Sequence, residues 1–265
     1  MKRLGFIGCG NMASAMFGGV VKTGFDPALI SVFDIDAAKA RALGERGAVV
    51  RADELDVAKN SDFVVLAVKP QVMKPLLEKL GACAENAVYV SIAAGVSVAS
   101  VKRFLGYDAK VVRVMPNTSL LMGLGATAVS HTPPVTDGEF EFVKSLFASS
   151  GIVEEVGEDM MNSVISVNGS SPAYVYYLAK AVADGARQQG IDPDVALRLF
   201  AKVLEGGAKM LTDSGLSPDE LIDRVCSKGG TTIEAVNVLE ERGVHGAVID
   251  GMKACTKRAE ELDLK

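Results

Sequence analysis

The chain has 265 residues, of which 49% are hydrophobic and 23% are charged, and its formal net charge is −5. This composition is that of a globular protein with a sizeable core, and it excludes a disordered chain, a collagen-like chain and a small disulfide scaffold. The negative net charge gives no support to nucleic acid or to a membrane as a partner, because both attract a clustered positive surface. Length alone predicts one or two domains.

Cysteine and histidine are sparse and scattered along the chain. The sequence has no Cys-x-x-Cys motif and only two histidines, so we expect neither a disulfide framework nor a metal site. In a chain of this length, isolated cysteines are typical of reduced thiols in the cytoplasm. No apolar stretch approaches the ~20 residues that a membrane-spanning helix needs. We therefore expect a cytoplasmic protein without a bound metal.

The first part of the chain alternates short apolar runs with amphipathic segments. This alternation is typical of a mostly parallel, doubly wound sheet with helices on both faces. The strands are predicted at residues 3–8, 30–34, 48–51, 62–68, 88–92, 110–115, 126–130 and 152–156. Helices between the earlier strands are predicted at residues 11–22, 37–46 and 71–80.

The pattern changes after Gly157, where strand signals end and helical periodicity takes over. Asp192-Pro193 and Ser217-Pro218 mark helix starts, because proline is favoured at the first helical position. Helices are predicted at residues 174–189, 195–211, 219–226, 233–242 and 244–264. The sequence thus predicts an α/β dinucleotide-binding domain at 1–157 and an all-helical domain at 158–265. Alanines on several faces of the helical domain predict that a second subunit completes its core, as a homodimer or a higher oligomer.

A glycine-rich turn opens the chain between the first predicted strand and the first predicted helix. Gly8 permits a tight turn, Gly10 lets the backbone approach a pyrophosphate, and Ala13 lets the helix pack on the sheet. The free amides at the helix start then bind the anion. A packing turn without a ligand is the alternative, and the strand–turn–helix context favours dinucleotide binding.

Asp34 ends the second predicted strand, 21 positions after Ala13. A carboxylate at this spacing accepts hydrogen bonds from the ribose hydroxyls and repels a 2′-phosphate, so it favours NADH over NADPH. Alternatively, Asp34 and Asp36 cap the helix that follows. Lys39 and Arg41 would partly offset the repulsion of a phosphate.

Three more predicted strands are followed by loops at the edge of the sheet where ligands bind. Residues 68–71 include Lys69, which is as easily a surface lysine as a functional one. Residues 93–95, Ala-Ala-Gly, would let a nicotinamide approach the backbone. Asn117 either caps a helix or holds a ribose hydroxyl, and local sequence favours the cap.

Residues 227–234, Ser-Lys-Gly-Gly-Thr-Thr-Ile-Glu, lie in the helical domain. Gly229 and Gly230 leave backbone amides accessible just before a helix start, which makes a receptor for a small carboxylate. Thr231 and Glu234 have the spacing of a capping box. Local sequence favours an ordinary capped helix, and the doubled glycine and threonine favour the anion site.

On these motifs the sequence resembles the pyrroline-5-carboxylate reductases. The matching segments are residues 5–12, 68–71, 93–96, 113–118, 169–174 and 227–232. The resemblance implies a Rossmann domain followed by helices that interlock with a second subunit. It also implies reduction of the cyclic imine of 1-pyrroline-5-carboxylate to L-proline, the last step of proline biosynthesis, by hydride from NAD(P)H.

The resemblance also assigns roles to residues. The dinucleotide loop would comprise Gly8, Gly10, Asn11, Met12 and Ala13. The ribose and nicotinamide would be lined by Ala67, Lys69, Pro70, Ala93 and Asn117. The substrate carboxylate would be held by Ser227, Gly229, Gly230 and Thr231. Thr232 would be catalytic, its hydroxyl meeting the ring nitrogen.

The chain departs from the family pattern at three places. Residues 168–172 read Asn-Gly-Ser-Ser-Pro where Ser-Gly-Ser-Gly-Pro is usual, Ser119 replaces a proline, and Asp34 stands where many members have a residue suited to NADPH. A 3-hydroxyacid dehydrogenase is the competing enzyme class, but it needs an asparagine after its lysine, and Lys180 is followed by Asp184. A non-catalytic NAD-binding protein would have no use for the 227–232 motif.

Overall fold

The computed structural model describes residues 1–81 and 83–265. Within them an eight-stranded sheet has the order β3-β2-β1-β4-β5-β6-β7-β8. All neighbouring strands are parallel except β6 and β7, so the predicted mostly parallel sheet is confirmed. The strands are β1 Leu4–Ile7, β2 Ile30–Phe33, β3 Val49–Val50, β4 Phe63–Leu66, β5 Val88–Ser91, β6 Lys110–Met115, β7 Gly125–His131 and β8 Gly151–Glu155.

Helices connect the strands and then make up most of the chain after residue 160. The first group is α1 Asn11–Lys22, α2 Ala37–Gly44, α3 Glu54–Lys59, α4 Pro70–Leu80, α5 Val98–Leu105 and α6 Asp137–Ala148. The second group is α7 Met161–Val164, α8 Ser171–Gln188, α9 Pro193–Asp213, α10 Pro218–Val225, α11 Thr231–Glu241 and α12 Val244–Glu261. The predicted helix 11–22 is confirmed, and the proline-marked starts of α9 and α10 are confirmed with Asp192 and Ser217 as N-caps.

The central strands are buried on both faces of the sheet. Neighbouring residues of a strand point to opposite faces, and every residue of β1 and β4 is buried. Phe6 belongs to a buried cluster with Phe17 and Phe147, whereas Ile7 belongs to a second cluster with Tyr89. Apolar residues at successive positions of β1 and β4 are therefore required, which explains why these strands read as continuous hydrophobic runs.

The register of the central strands brings three loops together. Ile7 at the end of β1 lies opposite Phe33 of β2 on one side and opposite Leu66 of β4 on the other. Because these strands are parallel, the residues that follow them, Gly8 and Asp34 among them, meet at one edge of the sheet.

The chain divides into two compact units, Met1–Pro172 with Lys253–Lys265, and Ala173–Met252. The second unit is entirely helical in its regular structure and buries few side chains within this chain, among them Ala183, Ala186 and Ala196. Tyr177 in α8 and Leu199 in α9 are 73% and 64% exposed. Over residues 1–81 and 83–265, no helix has the length and apolarity to cross a membrane.

Candidate active site

Gly8 forms the turn between β1 and α1. Its φ is +96°, in the left-handed region that favours glycine, and its amide donates to the carbonyl of Phe33 at 2.8 Å. A Cβ at this position would lie 2.5 Å from the carbonyl oxygen of Ala67. Glycine is therefore required by the protein itself at this turn.

Gly10 is not required by the fold, because the protein leaves open space beside it. It is the N-cap of α1 with φ −71° and ψ −173°, which any residue adopts, and a Cβ there would meet nothing within 4 Å. No side chain caps α1. The amides of Asn11, Met12 and Ala13 therefore remain available to an anion, and the helix dipole favours negative charge there.

Asp34 holds the glycine-rich turn from the neighbouring strand end. Its carboxylate accepts from the amides of Cys9 at 2.7 Å and Asp36 at 2.8 Å. Asp36, not Asp34, caps α2 by accepting from the amide of Ala38 at 3.1 Å. The capping alternative is thus right for Asp36 and wrong for Asp34, whose carboxylate retains lone pairs for a further donor.

A cavity of about 650 Å³ opens at this edge of the sheet. It brings together predicted cofactor residues from three loops, namely Gly8, Gly10, Asp34, Ala67 and Lys69. Apolar side chains that the sequence analysis did not single out form another part of its wall, namely Phe33, Ile35, Val68, Val72 and Leu76. Ile35 is 92% exposed beside this wall, a position suited to stacking against a flat ring.

Other predicted cofactor residues lie outside this cavity. Pro70 is the first residue of α4, and Ala93 is buried two positions beyond the end of β5. The Asn117 side chain donates to the carbonyl of Asn168 at 3.2 Å and accepts from the amide of Ala126 at 3.2 Å. It makes no cap hydrogen bond to the 3₁₀ turn Thr118–Met122, so the capping interpretation of Asn117 is wrong.

The 227–232 motif forms a tight turn that leads into α11, in the second compact unit. The amide of Gly230 donates to the carbonyl of Ser227 at 2.9 Å, and Gly229 has φ +72°. A Cβ on Gly230 would lie 2.4 Å from the Ser227 hydroxyl oxygen. Backbone conformation therefore favours glycine at position 229, and a side chain at position 230 would force the Ser227 hydroxyl to move.

The start of α11 is uncapped by any side chain. Gly230 is the N-cap, and Thr231 and Thr232 are the first two helical residues, both exposed. The predicted capping box between Thr231 and Glu234 is therefore wrong, because the helix begins one residue earlier than that motif requires. The amides of the first turn and the threonine hydroxyls are left available to a small anion.

The N-terminal and C-terminal parts of the chain each match a known family. Residues 158–262 match the model described as pyrroline-5-carboxylate reductase dimerisation, and residues 3–95 match the model described as NADP oxidoreductase, coenzyme F420-dependent. Over 264 residues the chain is 40% identical to the pyrroline-5-carboxylate reductase of Escherichia coli, covering 98% of each chain. The chain belongs to the pyrroline-5-carboxylate reductase family.

Solved structures agree with this assignment. A pyrroline-5-carboxylate reductase from Coxiella burnetii has a TM-score of 0.90 at 31% identity, with 100% of this chain and 99% of that chain covered. The pyrroline carboxylate reductase of Plasmodium falciparum with NADP bound has a TM-score of 0.90 at 23% identity, with 98% of each chain covered, and shows the same fold.

The departure of residues 168–172 from the usual family sequence has a structural counterpart. Asn168 donates from Nδ2 to the carbonyls of Met115 at 2.7 Å and Ala126 at 3.0 Å. Ser171 donates to the carbonyl of Ser166 at 3.1 Å. Asn168 therefore ties the end of β6 to the start of β7, a contact that a serine side chain is too short to make in both directions.

Cys9 lies in the glycine-rich turn between β1 and α1 and is not a reactive thiol. Burial, together with the nearby Asp34 carboxylate, raises the pKa of the Cys9 thiol to about 12. The neutral thiol is a poor nucleophile, so Cys9 serves as a small buried residue.

Proposed function

We propose that the chain reduces 1-pyrroline-5-carboxylate to L-proline at the expense of NADPH or NADH. The observation that carries this proposal is the pair of helix starts, α1 and α11, that lack side-chain caps and follow glycines with open backbone amides. Family membership supports a dinucleotide at the first and a substrate carboxylate at the second.

The α1 turn fits a dinucleotide, because the space beside Gly10 is open to a phosphate group that a side chain would displace. We assign the pyrophosphate to the amides of Gly10, Asn11, Met12 and Ala13, and the adenosine to the apolar wall beside Ile35. Lys69, Pro70, Ala93 and Asn117 follow the next strands of the same sheet and are assigned to the ribose and nicotinamide. When bound, a reduced nicotinamide supplies the hydride.

We propose a modest preference for NADH over NADPH. The Asp34 carboxylate borders the cavity with lone pairs free for ribose hydroxyls, and it would repel a 2′-phosphate. Lys39 lines the same cavity and forms an ion pair with Asp36 at 3.4 Å, which weakens the discrimination without reversing it.

At α11 the protein has to hold a carboxylate and make one hydrogen bond to the ring nitrogen. We assign the carboxylate to the amides and hydroxyls of Ser227, Gly229, Gly230 and Thr231. The imine is protonated when it binds, and its ring N–H donates to the Thr232 hydroxyl oxygen, which orients the electrophilic imine carbon. The imine accepts a hydride at carbon and carries its proton on nitrogen, so no further acid is required of the protein.

We propose a homodimer, with the division 1–157 and 158–265 as its functional domains. Support comes from the family segment that begins at residue 158 and from the exposed apolar side chains of α8 and α9. Larger assemblies of dimers are compatible with this surface. The four cysteines are free thiols, which supports a reducing compartment such as the cytoplasm.

The experiment follows oxidation of the reduced dinucleotide with 1-pyrroline-5-carboxylate in wild type, Thr232→Val and Thr232→Ser. Valine keeps the shape and removes the hydroxyl, so kcat/KM should fall about a hundredfold, while serine keeps the hydroxyl and should retain most activity. Equal activity of the valine variant and wild type would refute the role of Thr232.

A further inference from the structure

The start of α5 is held by two carboxylates from distant parts of the chain. Ser97, the N-cap, donates from its amide and its hydroxyl to the two oxygens of Asp263 at 3.0 and 2.8 Å. The next amide, of Val98, donates to Oε1 of Glu158 at 3.0 Å. Capping of α5 itself requires only the Ser97 hydroxyl oxygen, which accepts from the amide of Ser100 at 3.1 Å. The two carboxylates thus add to this cap, because Glu158 satisfies the first amide of the helix and Asp263 holds Ser97 itself.

Both carboxylates are fixed in turn. Arg113 on β6 is only 3% exposed, and its guanidinium donates to Oε1 of Glu158 at 3.1 Å and to the side chain of Asn162. Burial alone would raise the pKa of Asp263, but the hydrogen bonds from Ser97 and Ser100 outweigh it and the pKa is lowered. Asp263 is therefore a carboxylate at neutral pH, which the positive end of the α5 dipole favours.

The same C-terminal segment lies against the loop at residues 93–96, between β5 and α5. Gly95 has φ +81°, and a Cβ there would lie 2.5 Å from the carbonyl oxygen of Ala259 and 2.7 Å from Cβ of Leu262. The loop thus packs directly against the end of α12 and the residues that follow it. Its C-terminal end is tied to the same segment through Ser97.

We propose that Asp263 is a positioning residue that, with Glu158 and Arg113, fixes the 93–96 loop where it receives the nicotinamide half of the dinucleotide. The inference rests on the proposed cofactor site at Ala93. Loss of the Asp263 carboxylate frees Ser97, and with it the backbone that a nicotinamide approaches. The pyrophosphate turn, at Gly8 and Gly10, is held by a different carboxylate, that of Asp34.

The test separates the two halves of the cofactor. Calorimetry measures the Kd of the reduced dinucleotide and of ADP-ribose, which lacks the nicotinamide, for wild type, Asp263→Ala and Asp263→Asn. Asp263→Ala should bind the dinucleotide about tenfold more weakly and ADP-ribose within about twofold of wild type, since only the loop is released. Asp263→Asn keeps an acceptor for one of the two donors and should lie between. Glu261→Ala is the matched control, because Glu261 pairs with Arg258 at 2.9 Å on the surface.

An equal loss of affinity for both ligands, or no loss for either, in the alanine and asparagine variants would overturn the positioning role. Thermal unfolding with each ligand checks that the variants are folded. Because the assay needs no imine, it is independent of the reaction. A wild type that binds the dinucleotide without reducing 1-pyrroline-5-carboxylate would refute the proposed function and leave the positioning role to be decided by the two Kd values.

Discussion

Substitution by alanine should have opposite effects at Gly8 and Gly10: it should destabilise the fold at Gly8 and leave stability unchanged at Gly10. At Gly10 an added Cβ meets no atom within 4 Å and the backbone is ordinary, so Gly10→Ala should fold normally. Alanine lowers the entropy of the unfolded chain, which stabilises the folded state by about 0.4–1 kcal/mol. Alanine is also a poorer N-cap than glycine, which costs a similar amount of stability. At Gly8, φ +96° strains any other residue and the Cβ would lie 2.5 Å from a backbone oxygen. Gly8→Ala should therefore lower the free energy of unfolding by at least about 2 kcal/mol.

Gly10→Ala should weaken binding of the dinucleotide although it leaves the stability of the fold unchanged. A methyl group beside the free amides of α1 occupies the approach of the pyrophosphate, so the Kd for the reduced dinucleotide should rise at least about tenfold, or about 1.4 kcal/mol. The chain has no tryptophan, so calorimetry is the suitable binding assay, and urea unfolding by circular dichroism gives the stability. Wild-type affinity in Gly10→Ala would refute the placement of the pyrophosphate, and wild-type stability in Gly8→Ala would refute the account of the turn.

Two further residues of the dinucleotide site give predictions. Asp34→Ser removes the carboxylate that would repel a 2′-phosphate. The ratio of kcat/KM for NADPH to kcat/KM for NADH should therefore rise at least about tenfold. An unchanged ratio in steady-state assays would show that Asp34 does not select the cofactor. Because its pKa is raised to about 12, the Cys9 thiol is almost fully protonated at about pH 8. At about pH 8, iodoacetamide should therefore label Cys9 in the folded protein far more slowly than the partly exposed Cys226, as followed by peptide mass spectrometry. Comparable labelling rates would contradict this.

The parts of the fold that the sequence predicted well are set by neighbours in the chain. Residues 4–13 contain the signals of a buried parallel strand, a tight glycine turn and a helix that packs closely on the sheet. The local sequence therefore predicts the α1 turn and helix 11–22. The continuous apolar runs of β1 and β4 likewise indicated burial on both faces. The spacing of Asp34 from Ala13 likewise predicts that it lies at the same edge of the sheet as the α1 turn, where its carboxylate accepts from the Cys9 amide.

Two predictions that depended on the partners of a side chain were wrong. Asn117 was expected to cap the turn beside it, but its donor contacts Asn168, 51 positions away. The capping box at Thr231 failed because Gly230 takes the N-cap position, a shift of one residue that propensity does not resolve. The contact between Ser97 and Asp263 joins residues 166 positions apart, and no local pattern encodes it.

The sequence carries one further signal at this edge of the sheet. Ile35 is an apolar residue between Asp34 and Asp36, in the loop that follows the second predicted strand. The structure leaves it 92% exposed beside the cavity. An apolar residue at this position thus predicts part of the apolar wall of the cavity.

Analysis of the products that the wild-type protein forms from 1-pyrroline-5-carboxylate and a reduced dinucleotide is the direct test of the proposed reductase activity. One L-proline should form for each dinucleotide oxidised, with no proline and no oxidation when either reactant is omitted. A folded protein that binds the dinucleotide yet forms no proline with either NADPH or NADH would contradict it.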